Sequence, residues 1–466
     1  MQEIMKRTMT YWALVVIMLL LPMVARGYSF VQDGIYYDVV DGEAIVTNNG
    51  QSNCYSGDVV IPEMVTYGGT TYAVTGIGKN AFMLCSNLTH VTIPGTVTSI
   101  GNNAFCKCDA LTSIDLPRSL RYIGAYAFSM SNITSVTIPD AVTTIEHYAF
   151  YACTALETLK IGKSVTSIGD NAFNACYQLT TLIWNAKHCS STGSMITAGI
   201  DSVAVGDKVE LIPAGFIKSS KVTSVTLPNS VTIIGSEAFF DCTLLSGISI
   251  PGSVTYIRDY AFYNCRGLTS ISLGHSVETI GESAFENCSG LVSVIIPNSV
   301  TTIGGYAFEG CSRLISVTIG KGVTNIGSLI FYSCSQLTNV ACLAVTPPCI
   351  DYGLFDDMGY YDHATLHVPQ ESLGAYQSAL YWKDFYQIIG DITENYSPAD
   401  VNHDGEINIG DANNVIDIVI LGGNGGHTRI PVDGEGVIGD VNGDGEVNIA
   451  DINAIINEII SGVGAH

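Results

Sequence analysis

Twelve times over, this chain returns to the same outline after about 23 residues. Phe stands at 82, 105, 128, 150, 173, 216, 239, 262, 285, 308 and 331, with steps of 23, 23, 22, 23, 43 and then 23 five times. An aliphatic residue stands at 88, 111, 133, 156, 179, 200, 222, 245, 268, 291, 314 and 337, and its steps are all 21 to 23. The 43-residue gap is therefore two periods, one without its Phe, and the stretch 187–198 replaces that half-unit. A fixed period of this size marks a repeat architecture. A single unit cannot bury its own apolar edge, but stacked units bury each other's.

One unit reads Leu268-Thr-Ser-Ile271-Ser-Leu273, then Val277, Ile280-Gly281, Ala284-Phe285 and Cys288. The alternation of Ile271 and Leu273 is that of a strand. Pro or Gly ends it, as at Pro94, Pro117, Gly162, Pro228 and Gly274. The phrase Ala-Phe-x-x-Cys predicts one short helical or 3₁₀ turn. The phrases Val-Thr-Ile-Pro, Ser-Val-Thr-x-Ile-Gly and Ala-Phe-x-x-Cys resemble the leucine-rich repeats of BspA-type bacterial surface proteins. That resemblance covers about residues 58 to 342. It implies a β-rich leucine-rich-repeat solenoid of about 12–13 coils, serving as a secreted or surface-exposed adhesin or recognition rod. Some members are thought to bind host matrix proteins.

The remaining segments follow from this frame. Lys6 and Arg7 precede an apolar run from Trp12 to Leu21, and Ala25-Arg26-Gly27 supplies small residues at a cut. This is the layout of a secretory signal peptide over 1–27, so the chain is expected to be exported, with no membrane span after cleavage. Residues 28–58 are expected to form an N-terminal β cap, with strands at Tyr36–Val40 and Ala44–Val46. The solenoid occupies 59–342. Residues 343–392 form its C-terminal cap, with a strand at Ala364–Val368 and a helix over Glu371–Ile389. The net charge of −24 repels phosphate backbones and argues against a nucleic-acid partner.

The outward strand positions are the three x sites of each L-x-x-L-x-L. Of these 36 sites, 23 are Ser or Thr, four are charged (Asp115, Glu157, Lys160, Asp201) and none is aromatic. A face without aromatics is a poor carbohydrate platform. Two readings stand: Thr simply suits a pleated surface, or the face is a hydroxyl-rich protein-binding surface. Tyr126, Tyr148, Tyr260 and Tyr306 sit two residues before the ladder Phe, and Tyr151, Tyr263 and Tyr332 one after it. They either anchor a partner or lean on the next coil.

Nine cysteines take the third position after the Phe: 85, 108, 153, 176, 242, 265, 288, 311 and 334. Stacked Cβ atoms about 4.8 Å apart lie beyond the usual bridging range. The unbroken run 242–334 has five members and cannot pair off completely. These are read as buried free thiols acting as small apolar residues. No catalytic constellation occurs: there is no G-x-S-x-G, and Gly162-Lys163-Ser164 lacks the first Gly of a P-loop, with Glu157 in its place. His363 and His367 beside Asp362 suit two surface histidines better than a zinc pair.

The tail 393–466 holds 13 acids and one base, a net charge of −12. Its pattern occurs twice. Asp400, Asn402, Asp404, Asn408 and Asp411 repeat as Asp440, Asn442, Asp444, Asn448 and Asp451, at loop positions 1, 3, 5, 9 and 12, with Gly405 and Gly445 at 6. Glu406 and Glu446 at position 7 offer backbone carbonyls. Hard oxygen donors with Gly at the sharp turn are the grammar of a calcium loop, so two Ca²⁺ ions are expected, one per loop. Each loop precedes an amphipathic helix, with apolar residues at Ala412, Val415, Ile416, Val419 and Ile420, and at Ile452, Ile455, Ile456, Ile459 and Ile460. This duplicated loop-helix, over about 400 to 462, resembles a type I dockerin. The resemblance implies a small all-α calcium-binding domain that docks a cohesin-like partner. It points to Ile409-Gly410 and Ile449-Ala450 as partner contacts. It departs from the family in a long Gly-rich insert at 422–439.

The expected function is a secreted, non-enzymatic recognition and adhesion rod with a calcium-dependent docking module. The alternative is a non-catalytic or carbohydrate-binding component of an extracellular polysaccharide-degrading complex. A further rival is a calcium-stabilised tail with no cohesin partner.

Overall fold

Every coil must hand its unpaired backbone groups to the next one, and two short strands per coil do so. The computed structural model describes residues 28–51, 55–193, 195, 199–355 and 364–392. These divide into two compact units. One comprises the described residues up to Leu156 with Gly169–Tyr177; the other comprises Glu157–Ile168 and the described residues from Gln178 onward. Together they hold about 13 turns of a β-solenoid with coils of about 23 residues.

The first unit opens with strands Phe30–Gln32, Ile35–Val40 and Glu43–Thr47, paired antiparallel. Asp33-Gly34 and Asp41-Gly42 make the two hairpins, and all four residues have positive φ, at 53°, 78°, 53° and 83°. That backbone twist suits a two-residue hairpin, and Asp and Gly adopt it at least cost. Strand Glu43–Thr47 then takes up Thr70–Ile77 in parallel. From there Ile77, Ile100, Ile123 and Ile145 stand in one register, each buried.

The second unit repeats the arrangement. Ile212, Ile234, Ile257, Ile280, Ile303, Ile326 and Ile350 form one parallel row. Val294, Val317, Val340, Leu366 and Ile388 form another. Phe239, Phe262, Phe285 and Phe308 stack between the rows at 4.9 to 5.4 Å, interplanar angles 4° to 9°. In the first unit Phe82, Phe105, Phe128, Phe150 and Phe173 stack the same way, at 4.9 to 5.1 Å. Offset ring stacking at such distances adds to the burial of each ring.

The Ala-Phe-x-x-Cys phrase is not a helical turn. The residues two before and two after the Phe have positive φ, for example Tyr260 (58°) and Asn264 (59°) around Phe262. These two left-handed residues, four apart, go with an alternation in where the N–H groups point. Those of Tyr260, Phe262 and Asn264 donate to the next coil, at Glu282, Ala284 and Glu286. Those of Ala261, Tyr263 and Cys265 close turns within their own coil. A helix would spend every donor on itself and leave the coils unlinked.

One expected member of the Phe ladder is displaced. The Ile217 N–H donates to Ala238 just as that of Phe239 donates to Ala261, so Ile217 holds the Phe place. Phe216 falls one residue early and meets Phe239 edge-on, at 86° and 6.2 Å. The atypical stretch before it accounts for the slip.

The helix expected over Glu371–Ile389 is only Leu373–Ser378, flanked by 3₁₀ turns at Gln370–Ser372 and Trp382–Asp384. Tyr381 at φ 68° breaks the chain away. Residues Gln387–Ile392 form a strand instead, pairing parallel with Thr365–Pro369. Extending the sheet satisfies an edge that a helix would leave bare. Buried Tyr376 and Trp382 fix this cap, donating to the Ala344 carbonyl at 2.8 Å and the Pro348 carbonyl at 2.9 Å.

The two faces make a direct test. Phe285 is fully buried in its stack, so Phe285→Ala should cost about 3–5 kcal/mol. Thr269 is exposed and its hydroxyl donates to Ser246 O, so Thr269→Ala should cost within about 1 kcal/mol. Urea unfolding of the two variants measures the difference, and equal shifts would contradict this assignment of faces.

Candidate functional site

The expected calcium ligands Asp400, Asn402, Asp404, Glu406, Asn408 and Asp411, and Asp440, Asn442, Asp444, Glu446, Asn448 and Asp451, lie outside the described residues. So do the expected partner contacts Ile409, Gly410, Ile449 and Ala450, the export segment 1–27 and His363.

Within the coils, most of the ladder thiols are committed to the stack. The thiol of Cys288 donates to Phe262 O of the preceding coil at 3.1 Å, and Cys265, Cys311 and Cys334 repeat the bond at 3.1 to 3.3 Å. Cys108, Cys153 and Cys176 do the same in the first unit. The same carbonyl also accepts the Cys265 N–H. A cysteine here is thus a small apolar residue with one usable donor, and the described ladder thiols are free and buried. Ser131 and Ser220 stand in two coils where the others carry Cys, each with its hydroxyl against the next coil's thiol. Burial pushes the Cys153 and Cys334 thiols up to about 12 and those of Cys189 and Cys342 to about 11.

The hydroxyl-rich strand face is spoken for in part. At its first outward position Thr134, Thr180, Ser246, Thr269 and Thr338 each donate to a carbonyl one coil back, at 3.1 to 3.5 Å. In the Ser-Val-Thr-x-Ile-Gly phrase Thr98, Thr301 and Thr324 do so at 3.2 to 3.3 Å, and Ser119, Ser253 and Ser299 at 2.6 to 2.7 Å. Coil-to-coil bonding therefore accounts for some of the Ser and Thr on this face. Three outward positions in these two coils are apolar, Val292, Ile295 and Ile315; Val292 and Ile315 line a shallow depression with Arg313 and Gln336.

The turn face is where successive coils differ. In the second unit the residue after each ladder position reads Lys218, Phe240, Tyr263, Glu286, Glu309 and Tyr332. The Lys218 ammonium sits 4.2 Å from the Phe240 ring centre and pairs with Glu237. Phe240 stacks on Tyr263 at 4.6 Å, and Tyr260 lies 6.0 Å from Tyr263. Burial, and then the Glu286 carboxylate, push the Glu309 carboxyl up. In the first unit Tyr126 stacks on Tyr148 at 4.8 Å. Tyr126, Tyr148, Tyr151, Tyr260 and Tyr263 therefore lean on neighbouring rings, and most of the stripe remains half-exposed. Sequence reasoning counted only the tyrosines. It missed Lys218 because the Phe216 assignment shifted that coil by one, and Glu286 and Glu309 because acids were not tracked at that phase.

His367 Nδ1 lies 2.7 Å from Asp391 and braces the last two strands. Among the described residues no cluster of three or more His, Cys, Asp or Glu side chains suits a metal ion. No described helix is long and apolar enough to cross a membrane.

The chain matches the family model described as BspA type leucine rich repeat region, over residues 75–195 and 210–338. No curated protein matches it. Among solved structures, a leucine-rich repeat protein from Bacteroides ovatus is 25% identical, covering 70% of this chain and 100% of its own, with a TM-score of 0.43. A leucine rich cell surface protein from Faecalibacterium prausnitzii is 26% identical, covering 67% and 94%, with a TM-score of 0.31. The pneumococcal vaccine antigen PcpA is 19% identical, covering 77% and 98%, with a TM-score of 0.39.

The buried thiols carry a pH signature. An unfolded thiol ionises near pH 8.5, while burial holds the folded Cys189 thiol protonated to about 11 and that of Cys153 to about 12, and raises Cys265, Cys288 and Cys311 in the same direction. Their contribution is complete below pH 8.5 and is lost progressively between there and pH 11–12. Urea midpoints should fall from pH 8 to pH 10, and fall less in the variant Cys265→Ser, Cys288→Ser, Cys311→Ser, whose serines do not ionise in this range. Identical slopes would place these thiols in contact with solvent.

Proposed function

The chain belongs to the BspA-type leucine-rich repeat family, and from that premise we propose that it is an exported surface protein that recognises other proteins without transforming them. One observation carries this reading. The interior rows repeat almost without change, while the half-buried turn row runs Lys218, Phe240, Tyr263, Glu286, Glu309, Tyr332. A scaffold that fixes its core and varies one solvent-reaching row suits recognition, since each rung adds an independent side chain to one continuous surface. The charged and apolar segments before residue 28 supply the export address. Host matrix proteins are the ligand class suggested by the family resemblance.

The tail supplies attachment in this reading. Asp400, Asn402, Asp404, Asn408 and Asp411 would hold one Ca²⁺, with the Glu406 carbonyl; the second loop would hold another through the equivalent residues from Asp440 to Asp451. Three carboxylates meeting in each loop repel one another without a cation. Calcium binding would therefore order the loops and let the following short apolar helices pack, presenting Ile409-Gly410 or Ile449-Ala450 to a cohesin-like partner. The paired loops also favour a second reading, a non-catalytic component of an extracellular polysaccharide-degrading assembly. Screening the purified chain for glycan binding and hydrolysis separates the two.

Recognition by the turn row is tested with immobilised matrix proteins. Replacing Phe240, Tyr263 and Tyr332 by Ser should abolish binding, while replacing Thr89, Thr112 and Thr269 by Ala should leave it unchanged. Equal binding by both variants would end this reading. Calcium titration of the whole chain should show one site per loop, and Asp411→Ala or Asp451→Ala should each remove one. No calcium uptake at millimolar concentration would leave the repeats as the only functional part.

A further inference from the structure

The turn row of the second unit is satisfied at one end and unsatisfied at the other. At the first end, a cation is already in place: Lys218 lies over Phe240 and pairs with Glu237, and Phe240 stacks on Tyr263. Two rungs on, Glu286 and Glu309 occupy the same row in successive coils, about 4.8 Å apart along the stack. Both are half-buried. The Glu286 carboxylate accepts from the Asn287 amide, a neutral donor, at 3.2 Å. Among the described residues no Lys, Arg or His pairs with either acid. Tyr263 precedes them in the row, and Tyr332 follows.

This arrangement opposes its own folding. Like charges on facing positions of neighbouring strands or turns are unfavourable, and partial burial strengthens the repulsion. Burial and the Glu286 charge hold the Glu309 proton more tightly than usual, which is the expected mark of such strain. The chain contains the remedy elsewhere in the same row, where an ammonium is held between an aromatic face and a carboxylate. Aromatic faces and carboxylates together attract cations more than either alone.

We propose that Glu286 and Glu309, flanked in the row by Tyr263 and Tyr332, are the seat for lysine or arginine side chains from a basic segment of a protein partner. The proposal rests on reading the turn row as the recognition surface, and it names the chemistry of what that row recognises. The partner's cation completes at Glu286 and Glu309 what Lys218 does at Phe240 and Glu237. Its binding removes the repulsion between two rungs, so occupancy also stabilises the stack.

The probe is a fluorescein-labelled octalysine peptide, titrated by anisotropy into the full chain at low ionic strength. Three proteins are compared: the wild type, Glu286→Gln with Glu309→Gln, and Asp115→Asn with Asp201→Asn. The last pair removes the same charge from exposed strand positions and reports attraction to net charge alone. The Glu286/Glu309 variant should bind about tenfold or more weakly, while the Asp115/Asp201 variant stays within about twofold of wild type. Without peptide, the Glu286/Glu309 variant should melt no lower than wild type, because its change removes a repulsion; lost binding is then not lost folding. Tyr263→Ala should weaken binding as well. Equal weakening in both charge variants, no weakening in either, or no binding to wild type would overturn the proposal. The wider recognition reading fails separately, on the matrix-protein comparison of the serine-row variant.

Discussion

Parallel stacking in register is the constraint on which everything else rests. Each coil bonds to the next one so that Ile257 faces Ile280 and Val294 faces Val317. Every side chain therefore meets its own equivalent one rung away. A residue type can occupy a position only if it tolerates a copy of itself, or its neighbour's substitute, at about 4.8 Å. Phe does so by stacking. Cys does so by donating its thiol to a carbonyl one coil back. Thr and Ser do so by the same device on the outer face. In each case the side chain satisfies a need that the stacking itself creates.

The same rule explains where function can reside. Interior and strand positions answer to the neighbouring coil, so their chemistry is spent within the stack. The turn row after the Phe is less constrained, since the backbone there is already bonded alternately to the next coil and within its own. It accepts Lys218, two acids and several aromatics within six coils. Glu286 and Glu309 break the rule of tolerating a copy, and for that reason they stand out as a place completed from outside.

Much of this was legible in the sequence, for a physical reason. A period of 23 with fixed apolar positions leaves few alternatives to stacked coils, and the strand-ending Pro and Gly mark the bends. The free thiols followed from rung spacing alone. What escaped was geometry that a single residue's type does not record. Phe216 reads as a ladder residue until the Ile217 N–H bond to Ala238 shows the shift. The Ala-Phe-x-x-Cys turn has helical composition but is bracketed by two left-handed residues, because half its donors are needed by the next coil. The Glu371–Ile389 segment has an apolar pattern that suits either a helix or a strand, and the open sheet edge decided for a strand at its end. The Ser and Thr hydroxyls of the strand face were counted correctly, but the acceptors of Thr134, Thr180, Ser246, Thr269 and Thr338 lie 22 or 23 residues away and only the register reveals them.

Stacking by whole periods is the central claim, and chain deletion addresses it most directly. Removing 246–268 takes out one full coil of 23 residues and restores the register on both sides. Removing 246–257 takes out 12 residues and sets a strand against a turn. Circular dichroism melting of the two deletions should show the full-coil variant retaining a cooperative transition near wild type, with the half-coil variant losing it. Equal damage from the two deletions would contradict the account.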